Sequence, residues 1–289
     1  MPSILDLRRR IRSVRNMRQI TRAMKMVAGA RLRRAQERVL AARPYTNEIR
    51  TVLESVAARV DLSEENLNPL LVVRPVKKIL LVLVTADAGL CGAFNSNLIR
   101  AAHTYLNEHT NEEVVMLAVG RKGRDHFRKK SGLIIGERVN FFSKLNVADA
   151  RAIGELIVDL YSSGKVDAVD FLYNEFKSIL TQRLTIERYL PVPPLKPPEG
   201  QFPVDYIYEQ PPVEIFNRLL PRYVGSQVYR ALLESQAAEL AAKTTAMDAA
   251  TRNASEIIDS LTLHMNRVRQ GAITKEIIEI VSGAQAQQE

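Results

Sequence analysis

The chain has 289 residues, of which 46% are hydrophobic and 25% charged, and its formal net charge is +9. This composition is typical of a soluble protein with one or two domains. Its single cysteine, Cys91, excludes an internal disulfide bond and a cysteine-based zinc site. No apolar run approaches the roughly 20 residues of a membrane-spanning helix. The N-terminus is charged and has no apolar segment of the kind that a secretory signal requires.

The first predicted element is a long helix from about residue 4 to about residue 58. Ser3 is its expected N-cap, and Asp6 suits its first turn. Apolar residues recur along it at steps of mostly three and four, which indicates the seam of a coiled coil. Pro44 should bend or interrupt the helix. The seam residues are Ile4, Leu7, Ile11, Val14, Met17, Thr21, Met24, Ala28, Leu32, Ala35 and Val39.

The positive charge belongs to this helix. Eleven of the chain's 41 basic residues lie between Leu7 and Gln36, where no Asp or Glu occurs, so the remaining 30 nearly balance the 32 acidic ones. Like charges three or four residues apart, such as Arg18 and Arg22, each cost an isolated helix roughly 0.2–0.5 kcal/mol. An acidic surface should therefore lie opposite, in this chain or in a partner. Nucleic acid is a second possible partner.

The central region alternates between strands and helices. Ile79–Val84 is a run of six apolar residues, which indicates a strand buried on both faces. Residues 61–75 are expected to form a loop. The alternation predicts an open, mostly parallel, doubly wound sheet of Rossmann-like type. Strands are predicted at 76–85, 114–119, 133–135, 168–176 and 182–189, with helices reaching about residue 107 and covering 122–130 and 148–161.

A second long helix is predicted from about residue 213 to about residue 286, after a connector that holds eight prolines. Pro221 should kink it. Its seam is predicted to comprise Leu220, Val224, Val228, Leu232, Leu240, Met247, Ala254, Ile257, Leu261 and Val268. The expected fold class is thus α/β, with a long antiparallel coiled coil formed by the two termini (1–60 and 211–289) and an inserted domain (70–210).

Sites for small molecules are poorly supported by the sequence. The turn after the first strand holds Gly89 and Gly92 but lacks the glycine spacing and the lysine of a phosphate-binding loop. We therefore expect no tight nucleotide binding, no cofactor and no metal. Cys91 is expected to be a buried packing residue. The four histidines (103, 109, 126 and 264) lack metal-ligand spacing and are expected to be ordinary surface or interface residues.

Three sequence segments, taken in order along the chain, resemble the gamma-subunit family of F-type ATP synthases in its bacterial form. The first is ITRAMKMVA at 20–28, and the second is GLCG at 89–92 with Asn95. The third joins TAMDAATRNA at 245–254, NRVRQGAITKE at 266–276 and EIVSGA at 279–284. The resemblance covers nearly the whole chain. Ala88, Lys243 and Gly271 depart from residues common in the family.

The resemblance implies a rotor shaft. Its coiled coil would stand in a catalytic head of alpha and beta subunits. Its globular domain would rest on the membrane ring of c subunits beside the epsilon subunit. Proton flow would turn ring and shaft together, and the shaft would drive the beta subunits through their nucleotide-binding states. The chain would have no catalytic site and would be present once per complex, peripheral to the cytoplasmic face of the bacterial inner membrane.

The resemblance also implies contact residues. Met24 and Lys25 would face an acidic lever of the beta subunit. That lever would supply the acidic partner that the basic helix requires. Further head contacts would be Lys243, Arg269, Gln270 and Thr274. Ring contacts would be Asp205, Tyr206, Tyr208 and Glu209.

Two alternatives remain at this point. A basic coiled-coil nucleic-acid-binding protein would show strongly salt-dependent DNA binding, but this reading leaves the second helix and the sheet unexplained. An α/β enzyme with a helical arm needs a convergent catalytic group at the strand ends, where Asp87 is the single candidate.

The register of the two helices follows if both are aligned at their bases. Paired positions should then sum to about 270, which brings Met24 close to Met247 within one chain. Residues from about 268 to 286 would have no N-terminal helix beside them. Their apolar side chains occupy more than one face, so we expect a hydrophobic collar from other subunits to surround this tip.

Overall fold

The computed structural model describes residues 3–58, 68–129, 132–193 and 209–286. It divides into two compact units. Unit 1 comprises Met1–Ala28 with Thr244–Glu289, and unit 2 comprises Gly29–Lys243. The boundaries of these units fall within the two long helices, and the predicted division into 1–60, 70–210 and 211–289 stays a prediction.

The two long helices are present with nearly the predicted bounds. Helix α1 runs from Ile4 to Ala57, and the helix at the other end of the chain runs from Pro212 to Ala286. Ser3 caps α1 as expected: its hydroxyl accepts from the Asp6 amide at 3.2 Å, and the Asp6 carboxylate accepts from the Ser3 amide at 3.3 Å. This reciprocal pair satisfies backbone donors that the first turn leaves without helical partners.

The predicted interruption at Pro44 is wrong, because α1 continues through it. Proline removes one helical hydrogen bond and crowds the preceding turn. On both sides of it, however, α1 buries apolar side chains in one hydrophobic core, including Ala35 and Val39 before it and Leu53 and Val56 after it. Tertiary packing of this kind supplies most of a helix's stability, and it holds both segments in place. The C-terminal helix also continues through Pro221, and the predicted kink there stays a prediction.

Unit 2 is built on a five-stranded sheet. In chain order its strands are β1 (Lys78–Val84), β2 (Glu113–Val119), β3 (Ile134–Arg138), β4 (Ala168–Phe176) and β5 (Gln182–Leu190), and their order across the sheet is β3-β2-β1-β4-β5. The first four are parallel, and β5 pairs antiparallel with β4. The parallel-dominated sheet is confirmed. The third strand is longer than the predicted 133–135 and is shifted toward the C-terminus.

Helices cover both faces of this sheet. Helices α2 (Phe94–Glu108) and α3 (Arg121–Phe127) bury side chains such as Leu98 and Phe127 against one face. Helix α4 (Val147–Ser162) and the unit-2 parts of α1 and of the C-terminal helix cover the other face. The whole C-terminal helix, Pro212–Ala286, is called α5 from here on. Burial on both faces explains the continuous apolar runs of β1 and β2.

The carboxyl ends of β1 and β2 are joined tightly. Gly120 follows β2 with φ of +94°, and a Cβ atom at this position would lie 2.0 Å from the Thr85 carbonyl oxygen, so only glycine fits. The Thr85 hydroxyl accepts from the Gly123 amide at 2.8 Å. The loops that follow β1 and β2 are thereby fixed next to each other.

Candidate interaction surfaces

In unit 1 the two helices pair through polar side chains. The Lys25 ammonium lies 2.5 Å from the Asp248 carboxylate. The hydroxyl oxygens of Thr21 and Thr251 lie 2.9 Å apart, and Arg18 donates to the Ser255 hydroxyl at 3.5 Å. The two numbers in each pair sum to 272 or 273, close to the predicted 270, and the helices are antiparallel.

The predicted seam is wrong at Met17 and Ile257. These side chains are 58% and 48% exposed, respectively, whereas Ile258 is buried. The inward position after Val14 is Arg18, four residues on. Apolar periodicity could not reveal this step, because the residues that face the partner helix from Arg18 to Lys25 are polar. Between Met17 and Val27 the large apolar side chains of α1 turn outward, and buried apolar residues resume at Ala28.

The ion pair within this polar layer depends on pH. The hydrogen bond from Lys25 lowers the pKa of Asp248 below its ordinary value of 3.8. A carboxylate with a depressed folded-state pKa stabilises the fold above its ordinary pKa. The contribution of this pair is therefore complete at neutral pH and is lost as the pH falls through the lowered pKa.

Most of the basic N-terminal helix is not neutralised. Of its eleven basic residues, only Lys25 forms an ion pair with an acid in the part of the chain that the structure describes. Exposed apolar side chains lie among these cations, and Met24 is half-buried. This surface combines positive charge with apolar area, which suits an acidic partner with apolar residues of its own. Its exposed apolar side chains are Met17, Ile20, Met26 and Val27.

The C-terminal end of α5 is exposed on every side. Each residue from 269 to 282 is exposed, including the predicted head contacts Arg269, Gln270 and Thr274. This segment, here called the tip, confirms the expectation that its residues lack a helix beside them. Its large exposed apolar side chains are Ile273, Ile277, Ile278, Ile280 and Val281.

Unit 2 has a basic cavity of about 1030 Å³ at the carboxyl end of its parallel strands. Lys243, a predicted head contact, lies in its wall and is paired with Glu239 at 2.8 Å. Sequence reasoning missed the other cations, although Arg121 and Lys122 directly follow β2, where carboxyl ends of parallel strands meet. The cationic lining comprises Arg31, Arg34, Arg38, Arg121, Lys122 and Lys243.

Asp87, the candidate residue for an enzyme, has a structural role at this cavity. Its carboxylate accepts hydrogen bonds from the backbone amides of Arg121 at 3.0 Å, Asn140 at 2.9 Å and Phe142 at 3.4 Å. These bonds join the loops that follow β1, β2 and β3. Three of the roughly four acceptor sites of the carboxylate are thereby occupied.

The glycine turn is also held by internal contacts. Cys91 is buried, and burial raises the pKa of its thiol, which suppresses the reactive thiolate. The Asn95 side chain accepts from the Ala86 amide at 3.0 Å and donates toward the Cys91 sulfur at 3.1 Å. Gly92 has φ of +55°. These observations agree with a packing role for Cys91.

Two of the four histidines meet in the fold. The Nε2 atoms of His103 on α2 and His126 on α3 lie 2.9 Å apart. Sequence spacing gave no sign of this pair, because the two helices belong to separate parts of the chain. Of the predicted ring contacts, Glu209 is exposed, whereas Asp205, Tyr206 and Tyr208 lie outside the described residues.

The helix pairing predicts a selective disulfide. Thr21→Cys with Thr251→Cys, in a Cys91→Ala background, should place two sulfur atoms about as close as the present hydroxyls, so mild oxidation should join them. Intact mass and non-reducing electrophoresis should show a monomer that has lost two hydrogens. Ile20→Cys with Thr251→Cys is the matched control, because Ile20 points outward and should not react. Equal crosslinking of both variants, or dimers alone, would refute the register.

None of the described helices is long and apolar enough to cross a bilayer.

Comparison with known proteins identifies the family. The model of the family described as ATP synthase matches residues 3–287. The ATP synthase gamma chain of Solibacter usitatus is 54% identical, and that of Desulfitobacterium hafniense 47%, each over 287 residues and 99% of both chains. A central stalk and c-ring structure of the Tetrahymena thermophila mitochondrial ATP synthase is similar at a TM-score of 0.61, with 26% identity over 80% of this chain and 99% of that one. The protein therefore belongs to the ATP synthase gamma-chain family.

Proposed function

We propose that this chain is the central-stalk rotor subunit of an F-type, proton-translocating ATP synthase. Its rotation couples proton flow through a membrane ring to ATP synthesis or hydrolysis in the beta subunits. It contributes no catalytic site to this reaction and uses no cofactor or metal for it. The complex holds one copy, peripheral to the cytoplasmic face of the bacterial inner membrane. The comparisons give the nucleic-acid alternative no support.

The observation that carries this proposal is the exposed tip. A helical segment with Ile273, Ile277, Ile280 and Val281 on its surface is costly in water and marginally stable by itself. A collar of apolar residues from the alpha and beta subunits would remove that cost. Because a rotor turns inside its collar, contact should be mainly apolar, with few directional hydrogen bonds.

The remaining head contacts follow from the charge of the N-terminal helix. Met24 and Lys25 would face the acidic lever of the beta subunit, and the uncompensated cations around them would attract it. Lys243 would contact the head from the wall of the basic cavity. The pairing of Lys25 with Asp248 and of Lys243 with Glu239 is compatible with this role, because each ammonium has three donors.

The other end of the complex would be contacted by unit 2. Asp205, Tyr206, Tyr208 and Glu209 would lie near the c-subunit ring, with the epsilon subunit beside them. The sheet of unit 2 would act as a doubly wound, Rossmann-like scaffold, and the helix pair of unit 1 as an antiparallel coiled coil. The parallel strand order and the polar pairs of unit 1 support these two assignments.

Subunit stoichiometry tests the proposal. The chain, tagged at its N-terminus and expressed with its own synthase subunits, should copurify with alpha, beta and epsilon. Native mass spectrometry should find one copy for three alpha and three beta subunits, with ATPase activity. A tagged chain that folds but retains no alpha or beta, or that binds DNA with a strong salt dependence, would refute it.

Arg269 should contribute measurably to the head contact. Arg269→Ala removes a charged donor, and hydrogen bonds to charged groups contribute about 1.5–3 kcal/mol, so release from the alpha–beta head should be at least about tenfold faster. Arg267→Ala is the matched control: it removes the same charge from an exposed position two residues earlier. Dissociation from an immobilised head can be followed for both variants. Equal acceleration would show that only bulk charge matters.

A further inference from the structure

The strongest unexplained feature outside the rotor surfaces is the contact between His103 and His126. The imidazole rings lie edge to face, with centroids 5.1 Å apart and planes at 82°, and both pack against Phe127. His126 is exposed and His103 half-buried, so solvent and ions can reach them. The pair joins α2 to α3 on the face of the sheet opposite to the one that α4 covers.

We propose that His103 and His126 form a two-imidazole site for a divalent transition-metal ion, with copper(II) as the best-fitting ion. The inference is independent of the proposed rotor function. Elsewhere among the residues that the structure describes, no group of three or more His, Cys, Asp or Glu could hold a metal ion. Among the described residues the site has two protein ligands, and water can complete the coordination.

The separation of the two Nε2 atoms carries the proposal. Nitrogens in adjacent positions of a tetragonal ion, each about 2.0–2.1 Å from the metal, lie about 2.8–3.0 Å apart. Tetrahedral corners at the same bond length lie about 3.3–3.4 Å apart. The observed 2.9 Å matches the tetragonal case without movement of either helix. Imidazole suits copper(II), which also has the highest affinity in the divalent series.

Binding requires a change of tautomer. In the present contact one ring carries its hydrogen on Nε2 and donates to the other, since two lone pairs or two N–H groups would repel. Both Nε2 lone pairs must face the metal, so the ring that now donates must carry its hydrogen on Nδ1 instead. The metal lies off the line between the nitrogens, and the exposed His126 ring can rotate to meet it.

The bound ion would crosslink helices α2 and α3. Helices α2 and α3 are separated in sequence by β2, and a metal bridge between them restrains one against the other. A ligand that binds only the folded state stabilises it by an amount that grows with the logarithm of the ligand concentration relative to its Kd. Copper(II) should therefore raise the melting temperature of unit 2 as well as bind there.

Titration of the full chain with copper(II) tests the site. Calorimetry should show one high-affinity site, and electron paramagnetic resonance should show splitting from two imidazole nitrogens. His126→Asn should weaken this site by more than the 10–100-fold that loss of an outer-shell partner costs, and it should abolish the thermal shift. His264→Asn, which removes an exposed histidine from unit 1, is the matched control and should change neither.

The outcomes are exclusive. Circular dichroism should show that both variants fold, because neither side chain is buried. A two-nitrogen signal lost only in His126→Asn supports the site, and His103→Asn should reproduce that loss. Equal affinity in wild-type protein and His126→Asn, a single-nitrogen signal, or loss in His264→Asn would overturn it and leave a hydrogen-bonded pair with a structural role.

Discussion

Amide hydrogen exchange at residues 272–282 should slow by at least about 100-fold when the chain enters the alpha–beta head. In the isolated chain these residues are exposed on every side and have no tertiary packing, so their helical hydrogen bonds should open freely. A hydrophobic collar would bury Ile273, Ile277 and Ile280 and close those openings. Exchange measured by mass spectrometry before and after assembly gives the ratio directly.

Residues 247–258 of α5 provide the internal control for this experiment. Met247, Ala254 and Ile258 are buried in unit 1, so their segment should be protected to a similar degree in both states. If the tip were equally protected with and without the head, the chain would cover its own end, and the collar would be wrong. If the tip exchanged freely in the assembled head, it would not be a contact surface at all.

Asp170→Ala should destabilise unit 2 by about 3 kcal/mol, the lower end of the range for breaking a buried ion pair. Asp170 lies in β4 and is 4% exposed. Its carboxylate accepts from Arg188 at 2.8 and 2.9 Å and from the Tyr105 hydroxyl. Burial, reinforced by the hydrogen bond to Asp170, raises the pKa of Tyr105, which therefore stays a neutral donor.

The lower end of the destabilisation range applies to Asp170→Ala because water can replace part of the interaction that Arg188 loses. The Arg188 side chain is 43% exposed and can be rehydrated once its partner is gone, whereas the Tyr105 hydroxyl is buried and loses its acceptor. Urea unfolding followed by tyrosine fluorescence reports on unit 2 alone, because all nine tyrosines lie between residues 29 and 243 and the chain has no tryptophan. The midpoint should fall by about 1 M.

Asp159→Ala is the matched control for this substitution. Asp159 is an exposed carboxylate on α4 that forms no ion pair within the described chain, so its loss should change the free energy of unfolding by less than about 0.5 kcal/mol. An Asp170→Ala midpoint equal to that of the control would show that the buried network contributes nothing net to stability.

Apolar periodicity predicted the helices and strands well where burial of apolar side chains determines the structure. The strand at 168–176 was predicted with its exact bounds, and α1 and α5 within a residue or two, because long apolar patterns reflect burial directly. The interruption at Pro44 was wrongly predicted, because packing on both sides opposes the local cost of the proline and a local rule does not include that packing. The third strand lacks a strong apolar run, and its bounds were accordingly shifted.

The interaction surfaces were harder to predict than the elements. The seam through Arg18, Thr21 and Lys25 is polar, so an apolar template places Met17 inward when it is exposed. A polar layer in a helix pair specifies the register of the two helices at a cost in stability. In the sequence this layer could have been detected only by matching the polar residues of one helix to complementary residues on the other. The basic cavity and the histidine pair depend on loops and helices that the sheet brings together, which spacing along the chain does not encode.

Rotation of a single molecule tests the central claim most directly. The Leu180 side chain is 84% exposed at the turn between β4 and β5, so Leu180→Cys in a Cys91→Ala background offers a site for a bead. With the alpha–beta head fixed to a surface, ATP should turn the bead continuously in one direction, and removal of ATP should stop it. Sustained ATP hydrolysis by a complete complex whose bead stays fixed, or turns with no preferred direction, would contradict the assignment of this chain as the rotor.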